Sequence, residues 1–265
     1  MAQDAEASVP FEAMLGADVV TIVLGQPGTS ENSESTFWSE LLAEIHRLSR
    51  ETSIRAVVLT GKDRSFLTSS EFTSTIHDDV VSVQREVQRG AFHEVCVALH
   101  RLPQPTIAKV RGVASGIGLD LAMACDLVVA ADNARFSVKF FERGLTVDDD
   151  RWLLPSFIGS SQAMQLALFP EMVSANRMAS MGLVNRVLPD ADLDQFVDDW
   201  IGRLAAGAPI ALAMSKQLLN DSLAVTLEQA LDNEAISQTV NLGTNDYAEA
   251  LLAFLERRDP KFEGR

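Results

Sequence analysis

Between Pro105 and Ala131 the chain carries two short apolar, β-branched runs, Thr106 to Val110 and Leu127 to Ala131. They are separated by Gly112-Val113-Ala114-Ser115-Gly116-Ile117-Gly118 and by a run of helical character, Leu121 to Cys125. This order predicts strand, glycine-bearing turn, short helix, strand, and it leaves few folds open. A helix that begins on a glycine turn directs free backbone N–H groups and the positive end of its dipole at whatever lies before it. Such a point holds an oxygen that carries negative charge. Two plainer readings stand beside this one. Gly116 and Gly118 could serve only an awkward turn or close packing of helix on sheet. A nucleotide fingerprint would need a third glycine, and the segment lies mid-chain.

The rest of the chain extends the alternation. Residues 1 to 10 are polar and read as frayed, and Asp18 to Gly25 reads as a strand leading into a turn at Gln26-Pro27-Gly28 and a polar stretch to Ser35. Phe37, Leu41, Leu42, Ile45 and Leu48 form a helical stripe within Thr36 to Arg50. Ile54 to Thr60 is a buried-strand pattern, Ser65 to Thr73 a hydroxyl-rich loop, and Asp79 to Leu102 a longer helix with a possible break at Gly90. Beyond the central segment come a brief strand at Arg135 to Ser137, a short helix at Lys139 to Arg143 and a loop at Leu145 to Asp150. Two helices follow, split by Gly159, and then a short helix capped near Ser174 and ended by Gly182. Leu183 to Leu188 is strand-like. From Asp190 onward the pattern is helical: Ala191 to Ala206, Pro209 to Ser222, Thr226 to Asn241 and Asn245 to Arg257. The expectation is a largely parallel sheet with helices over it, then a helical block whose apolar faces need a cover.

Composition narrows the function. The 265 residues are 47% hydrophobic and 22% charged, which suits one large globular domain or one with a small appendage. The formal net charge of −15 argues against nucleic acid or an anionic membrane as partner. No apolar run is long enough to cross a bilayer, and no basic segment followed by an apolar one opens the chain. The two cysteines, Cys96 and Cys125, lie in apolar periodic segments. They read as buried thiols of a reducing compartment, so a cytoplasmic location is expected. With four histidines and no Cys/His cluster, no metal site is expected.

Four stretches in order resemble the crotonase, or enoyl-CoA hydratase/isomerase, superfamily. IRAVVLTGKDRSFLTSSEF is similar to the family's strand followed by an F-x-A-G-x-D-L loop. PTIAKVRGVASGIGLDLAMACDLVVAAD is similar to its P-x-I-A-x-V-x-G-x-A-x-G-x-G-x-x-L-A-x-x-C-D block. RGLTVDDDRWLLPSFIG resembles the G-L-x-P-D-x-G…L-P-x-x-x-G segment, and VSANRMASMGLVNRVLP with DYAEALLAFLERRDPKFEG resembles the later helices and tail. The resemblance implies an α/β fold, a crotonase-like spiral of ββα units over residues 1–190, with a C-terminal helical trimerisation region over 191–265. It also implies a homotrimer or dimer of trimers, an acyl-CoA thioester as ligand, and no cofactor beyond the CoA moiety of the substrate.

By the same resemblance, two backbone N–H groups hold the thioester oxygen as it becomes an enolate: those of Ser70 and Ile117. Removing one such donor typically costs about 3–4 kcal/mol of barrier. Hydratases of the family add two glutamates. The first falls here on Asp120, one methylene shorter, and the second on Phe140. Glu142 is two positions away, about 200° around a helix. Divergent members use a carboxylate in the loop after G-L, here Asp148. Asp120 and Asp148 are therefore the candidate acid/base residues, set against a helix cap and a solvated acidic loop as plainer readings. Substrate and CoA contacts carry over to Ser70, Glu71, Phe72, Thr73, Gly116 and Ile117, with Lys62 and Arg64 as candidates for the nucleotide phosphates. The chain departs from the family pattern at Ser69, where a glycine is usual, and at Gln26-Pro27-Gly28. The expected activity is hydration or double-bond isomerisation of an enoyl-CoA. The alternative is a non-catalytic acyl-CoA binder on the same fold.

Overall fold

A computed structural model describes residues 11–16, 18–25, 31–62, 65–68, 92–138, 150–169 and 171–265. Their strands are β1 (Phe11–Leu15), β2 (Val19–Leu24), β3 (Ala56–Gly61), β4 (Leu67–Thr68), β5 (Thr106–Val110), β6 (Val113–Ser115), β7 (Leu127–Ala131), β8 (Arg135–Ser137), β9 (Val173–Ser174) and β10 (Arg186–Leu188). The helices are α1 (Glu31–Ser49), α2 (His93–His100), α3 (Ile117–Ala124), α4 (Asp150–Ile158), α5 (Ser160–Leu168), α6 (Ala175–Met181), α7 (Leu193–Ala205), α8 (Pro209–Asp221), α9 (Leu227–Leu242) and α10 (Asn245–Glu256).

Two sheets share the strands. One has the order β1-β2-β3-β5-β7-β10, the other β4-β6-β8-β9. From β3 onward each turn of the chain gives one strand to each sheet: β3 then β4, β5 then β6, β7 then β8. The helices α2 and α3 lie between successive pairs. This is the expected ββα spiral. β3 pairs with β2 and β5, and β5 with β7, all parallel. A central parallel strand is covered on both faces, which explains why Ala56 to Thr60 are all buried, without polar alternation. On α1 the buried Phe37, Trp38, Leu41, Ile45 and Leu48 form one stripe, and Trp38 packs edge-on against Phe37 and Phe92 at 4.6 and 4.7 Å. α3 is apolar apart from Asp120 and buried from Gly118 to Ala124, as a helix enclosed by other elements must be.

Several expectations need correction. α1 starts at Glu31, six residues before the apolar stripe, within a polar run that has no apolar period to announce it. Of the helix expected from Asp79 to Leu102, His93–His100 is helical and Leu102 is not, while 79–91 lie outside the described residues. β1, which the sequence did not announce, pairs antiparallel with β2. Val113–Ser115 is a strand rather than part of the turn. Three residues are too few for periodicity to register. Asp150 begins α4 rather than closing a loop.

The C-terminal block meets the core through Leu193, Val197 and Ile201 of α7, which are buried in it, and beyond α7 through a few polar clamps. Lys216 Nζ lies 2.9 Å from Asp126 Oδ2 and donates to the Gln104 carbonyl at 3.2 Å. Asn220 Nδ2 donates to the His100 carbonyl at 3.1 Å, and Arg55 Nη2 to that of Phe262 at 3.1 Å. The Asp246 carboxylate accepts the Glu263 and Gly264 N–H groups and so fixes the tail. Neither α8 nor α9 has a buried residue. Among the described residues no helix is long and apolar enough to cross a membrane.

Candidate functional site

β4, β6 and β8 run parallel, so their C-terminal ends share one edge. Register sets Thr68 beside Ser115 and Ser115 beside Ser137, a row of three hydroxyl residues where the chain leaves the sheet. Gly116 follows with φ 55° and ψ −124°, a conformation that strains any residue with a Cβ. Its N–H donates to the Ser137 carbonyl at 3.0 Å, and its own carbonyl accepts from the N–H groups of Leu119 at 2.8 Å and Asp120 at 3.1 Å. The chain thereby turns directly into α3. The first two N–H groups of that helix belong to Ile117 and Gly118, and neither has a backbone acceptor among the described residues. They are the free donors of a helix start, at the positive end of its dipole.

Gly118 serves the plainer of its two purposes. A Cβ there would lie 2.0 Å from the Leu67 carbonyl oxygen. The first turn of α3 therefore rests on the backbone of β4, and the two cannot separate without losing that contact. So the glycines divide the work: Gly116 makes the turn, Gly118 the close approach. Ile117 is two residues beyond Ser115, and Ser70 is two residues beyond Thr68, the register partner of Ser115. Ser70 itself lies outside the described residues.

Asp120 is three residues after Ile117, on the same face of α3. It is fully buried. Gly116, Ile117 and Asp120 are thus brought together within one helical turn. Lys62 stands just past the C-terminal end of β3, exposed, with its ammonium 3.8 Å from Glu12. An exposed pair of that length contributes about 1 kcal/mol or less and leaves the lysine available to another anion. Arg64, Ser69, Ser70, Glu71, Phe72, Thr73, Phe140, Glu142 and Asp148 lie outside the described residues.

Ser137 was not among the expected site residues. Its side chain is buried, its carbonyl fixes Gly116, and its hydroxyl has no hydrogen-bond partner among the described residues. A serine ending a short apolar strand is a weak signal, legible only once the register is known. Both cysteines are buried, as expected. Burial pushes the Cys125 thiol far up, so it remains protonated and is no nucleophile. His100 is half-buried, and burial, followed by the neighbouring Lys216, holds its imidazole below the ordinary value. Among the described residues no group of three His, Cys, Asp or Glu could hold a metal.

Comparison with known proteins bears on the family and the fold. The sequence model of the family described as "Enoyl-CoA hydratase/isomerase" matches residues 15–265. A Rhodobacter capsulatus protein named "Probable enoyl-CoA hydratase" is 33% identical over 97% of this chain and 98% of its own length. The 1,2-epoxyphenylacetyl-CoA isomerase of Escherichia coli is 31% identical over 93% of this chain and 95% of its own. Among solved structures, an enoyl-CoA hydratase from Bacillus anthracis superposes with a TM-score of 0.88 at 25% identity, over 97% of this chain and 100% of that one.

Proposed function

The chain belongs to the enoyl-CoA hydratase/isomerase family, and from that premise we propose that it binds an enoyl-CoA thioester and moves its double bond through an enolate held by two backbone N–H groups, those of Ile117 and Ser70. The observation that carries this reading is the start of α3. A forced glycine turn presents the Ile117 N–H, and the Gly118–Leu67 contact keeps it beside the strand that leads to Ser70. Fixed donors aimed where charge develops lower a barrier without reorganising during the reaction.

In the forward direction a carboxylate removes a proton from C2 of a 3-enoyl thioester. The electron pair spreads onto the thioester oxygen, and a proton returned at C4 leaves the 2-enoyl product. Asp120, one turn below the Ile117 donor, and Asp148 are the two acid/base groups of this reading. Isomerisation is favoured over hydration because Phe140 stands where a hydratase of the resemblance has its second glutamate, and a phenyl ring neither orients water nor delivers a proton. Ser70, Glu71, Phe72, Thr73, Gly116 and Ile117 line the thioester and CoA in this reading. Lys62 and Arg64 supply positive charge for the phosphates against the net −15 of the chain. No cofactor is required beyond the CoA moiety itself. Residues 191–265 serve as a trimerisation region. Support for that comes from the large apolar side chains exposed on α9 and α10, among them Leu227, Leu231, Phe254 and Leu255.

The test is direct. Incubation with a trans-3-enoyl-CoA should raise the absorbance of the conjugated thioester, and Asp148→Asn should abolish that rise. A trans-2-enoyl-CoA should lose absorbance only slowly, since that loss reports hydration. No change with either substrate, together with acyl-CoA binding by calorimetry, would replace this reading with that of a binding protein.

A further inference from the structure

α8 leads into the last two helices and has no buried residue of its own, and polar contacts clamp it to the core. Lys216 and Asn220, one turn apart on one face of α8, supply them. Lys216 reaches Asp126 at 2.9 Å and the Gln104 carbonyl at 3.2 Å. Asn220 donates at 3.1 Å to the carbonyl of His100, the last residue of α2. His100, Lys216 and Asn220 all line one cavity of about 620 Å³ between the end of α2 and α8. We propose that this seam is a pH-sensitive latch, in which protonation of His100 sets a second cation against Lys216 and loosens α8 from the core.

Four charged groups act on the His100 ring: Lys216 and Asp221 from α8, Arg101 just past α2, and Asp126 just before β7. The two cations and two carboxylates do not balance. Asp126 is already engaged, its Oδ2 accepting from the Thr106 N–H at 2.7 Å and the Thr106 hydroxyl at 2.8 Å besides facing Lys216. Asp221 is exposed, so solvent and salt screen its attraction. Lys216, with its side chain 9% exposed, is screened far less. Burial first, and Lys216 second, hold the half-buried imidazole below its ordinary value.

The sign of the response follows. A base held low in the docked state and released to water on undocking stabilises docking fully above its free value, about 6.5. That contribution is lost as pH falls from there toward the docked value, by up to about tenfold in the docking constant per pH unit for one proton. The ring is half-buried beside an open cavity, so a proton reaches it without global unfolding. α7 serves as the internal reference, because its own clamp through Asp194 weakens only below about pH 5.

Hydrogen exchange on the full chain, read by mass spectrometry at pH 7.5 and 5.5 and corrected for intrinsic exchange, tests the latch. Protection of the α8 amides should fall about three- to tenfold relative to α7. His100→Gln, which takes up no proton, should keep α8 protected at both pH values. NMR of the imidazole should place the His100 titration below that of an ordinary histidine. Arg101→Gln should move that titration up and Asp221→Asn should move it down, each at an exposed side chain. Should His100→Gln fail to fold, those two variants decide. An equal loss of α8 protection in His100→Gln, a parallel loss in α7 and α8, or a titration that neither Arg101→Gln nor Asp221→Asn moves would each overturn the proposal.

Discussion

Ile117→Pro would remove one backbone donor together with part of a half-buried side chain that packs on the core. Ile117 is the first residue of α3, where proline is favoured because its missing N–H is one the helix leaves unused. Ile117→Pro should therefore lower the urea midpoint only modestly, through that lost packing, while lowering kcat/KM about 10²- to 10³-fold, the usual effect of deleting one oxyanion donor. An unaltered rate in a folded Ile117→Pro protein would remove this amide from the reaction. Gly118→Ala should behave in the opposite way. The new methyl meets the Leu67 carbonyl at 2.0 Å, so strand or helix must move, and a loss of about 2–3 kcal/mol is expected in denaturant titration together with the loss of activity. The two substitutions separate a glycine segment's chemistry from its packing, which the spelling Gly-Ile-Gly alone does not do. That spelling made the turn legible. What it could not convey was that Gly118 touches β4, because the contact depends on a register between segments nearly fifty residues apart. Ser137 was illegible for the same reason.

At the scale of elements, long periodic segments read through and short ones did not. β3, β5, β7 and the four C-terminal helices fall where their patterns put them, since burial on one or both faces leaves an extended trace in sequence. β6 and β4 hold three and two residues and owe their existence to their neighbours. The clamps between elements were equally hidden. Arg111, at the end of β5, reaches Asp190 at 2.7 Å and Asp194 at 2.9 Å, joining the sheet to the start of α7. Hydrogen bonds from Arg111 and then Lys109 hold the Asp194 carboxyl at about 2, against 3.8 ordinarily. A carboxylate depressed on folding stabilises above its unfolded value and loses that stabilisation as pH falls through the folded one. Asp194→Asn should thus cost stability at pH 7, and the difference from the parent should fade between about pH 5 and pH 2. Because the Asp194 side chain is 59% exposed, screening keeps the effect near 1 kcal/mol, which urea titration across that range would resolve. Lys216 sits differently. Its side chain is 9% exposed, and Lys216→Met would leave the Asp126 carboxylate held only by the Thr106 N–H and hydroxyl, so a loss of about 2 kcal/mol is expected by the same measurement.

For the whole molecule, the exposed apolar surface is the feature that a single chain does not account for. On α9, Leu227, Leu231, Ile236 and Val240 are all largely exposed, and on α10 so are Leu251, Leu252, Phe254 and Leu255. The same two helices have well-made starts: a reciprocal cap between Thr226 and Gln229 on one, and a Thr244 hydroxyl accepting the Tyr247 N–H on the other. Elements so carefully terminated yet apolar over so much exposed surface are built to be covered, because monomeric proteins seldom show apolar patches above a few hundred Å². If further copies of the chain cover them, then Leu231→Glu combined with Phe254→Glu should shift the light-scattering mass from an oligomer to the 28.8 kDa of one chain. Neither side chain is buried within the subunit, so the monomer should retain the far-UV circular dichroism of the parent. A parent protein that already sediments as a single chain would show that these faces stay uncovered, and the trimerisation role proposed for residues 191–265 would fall with them.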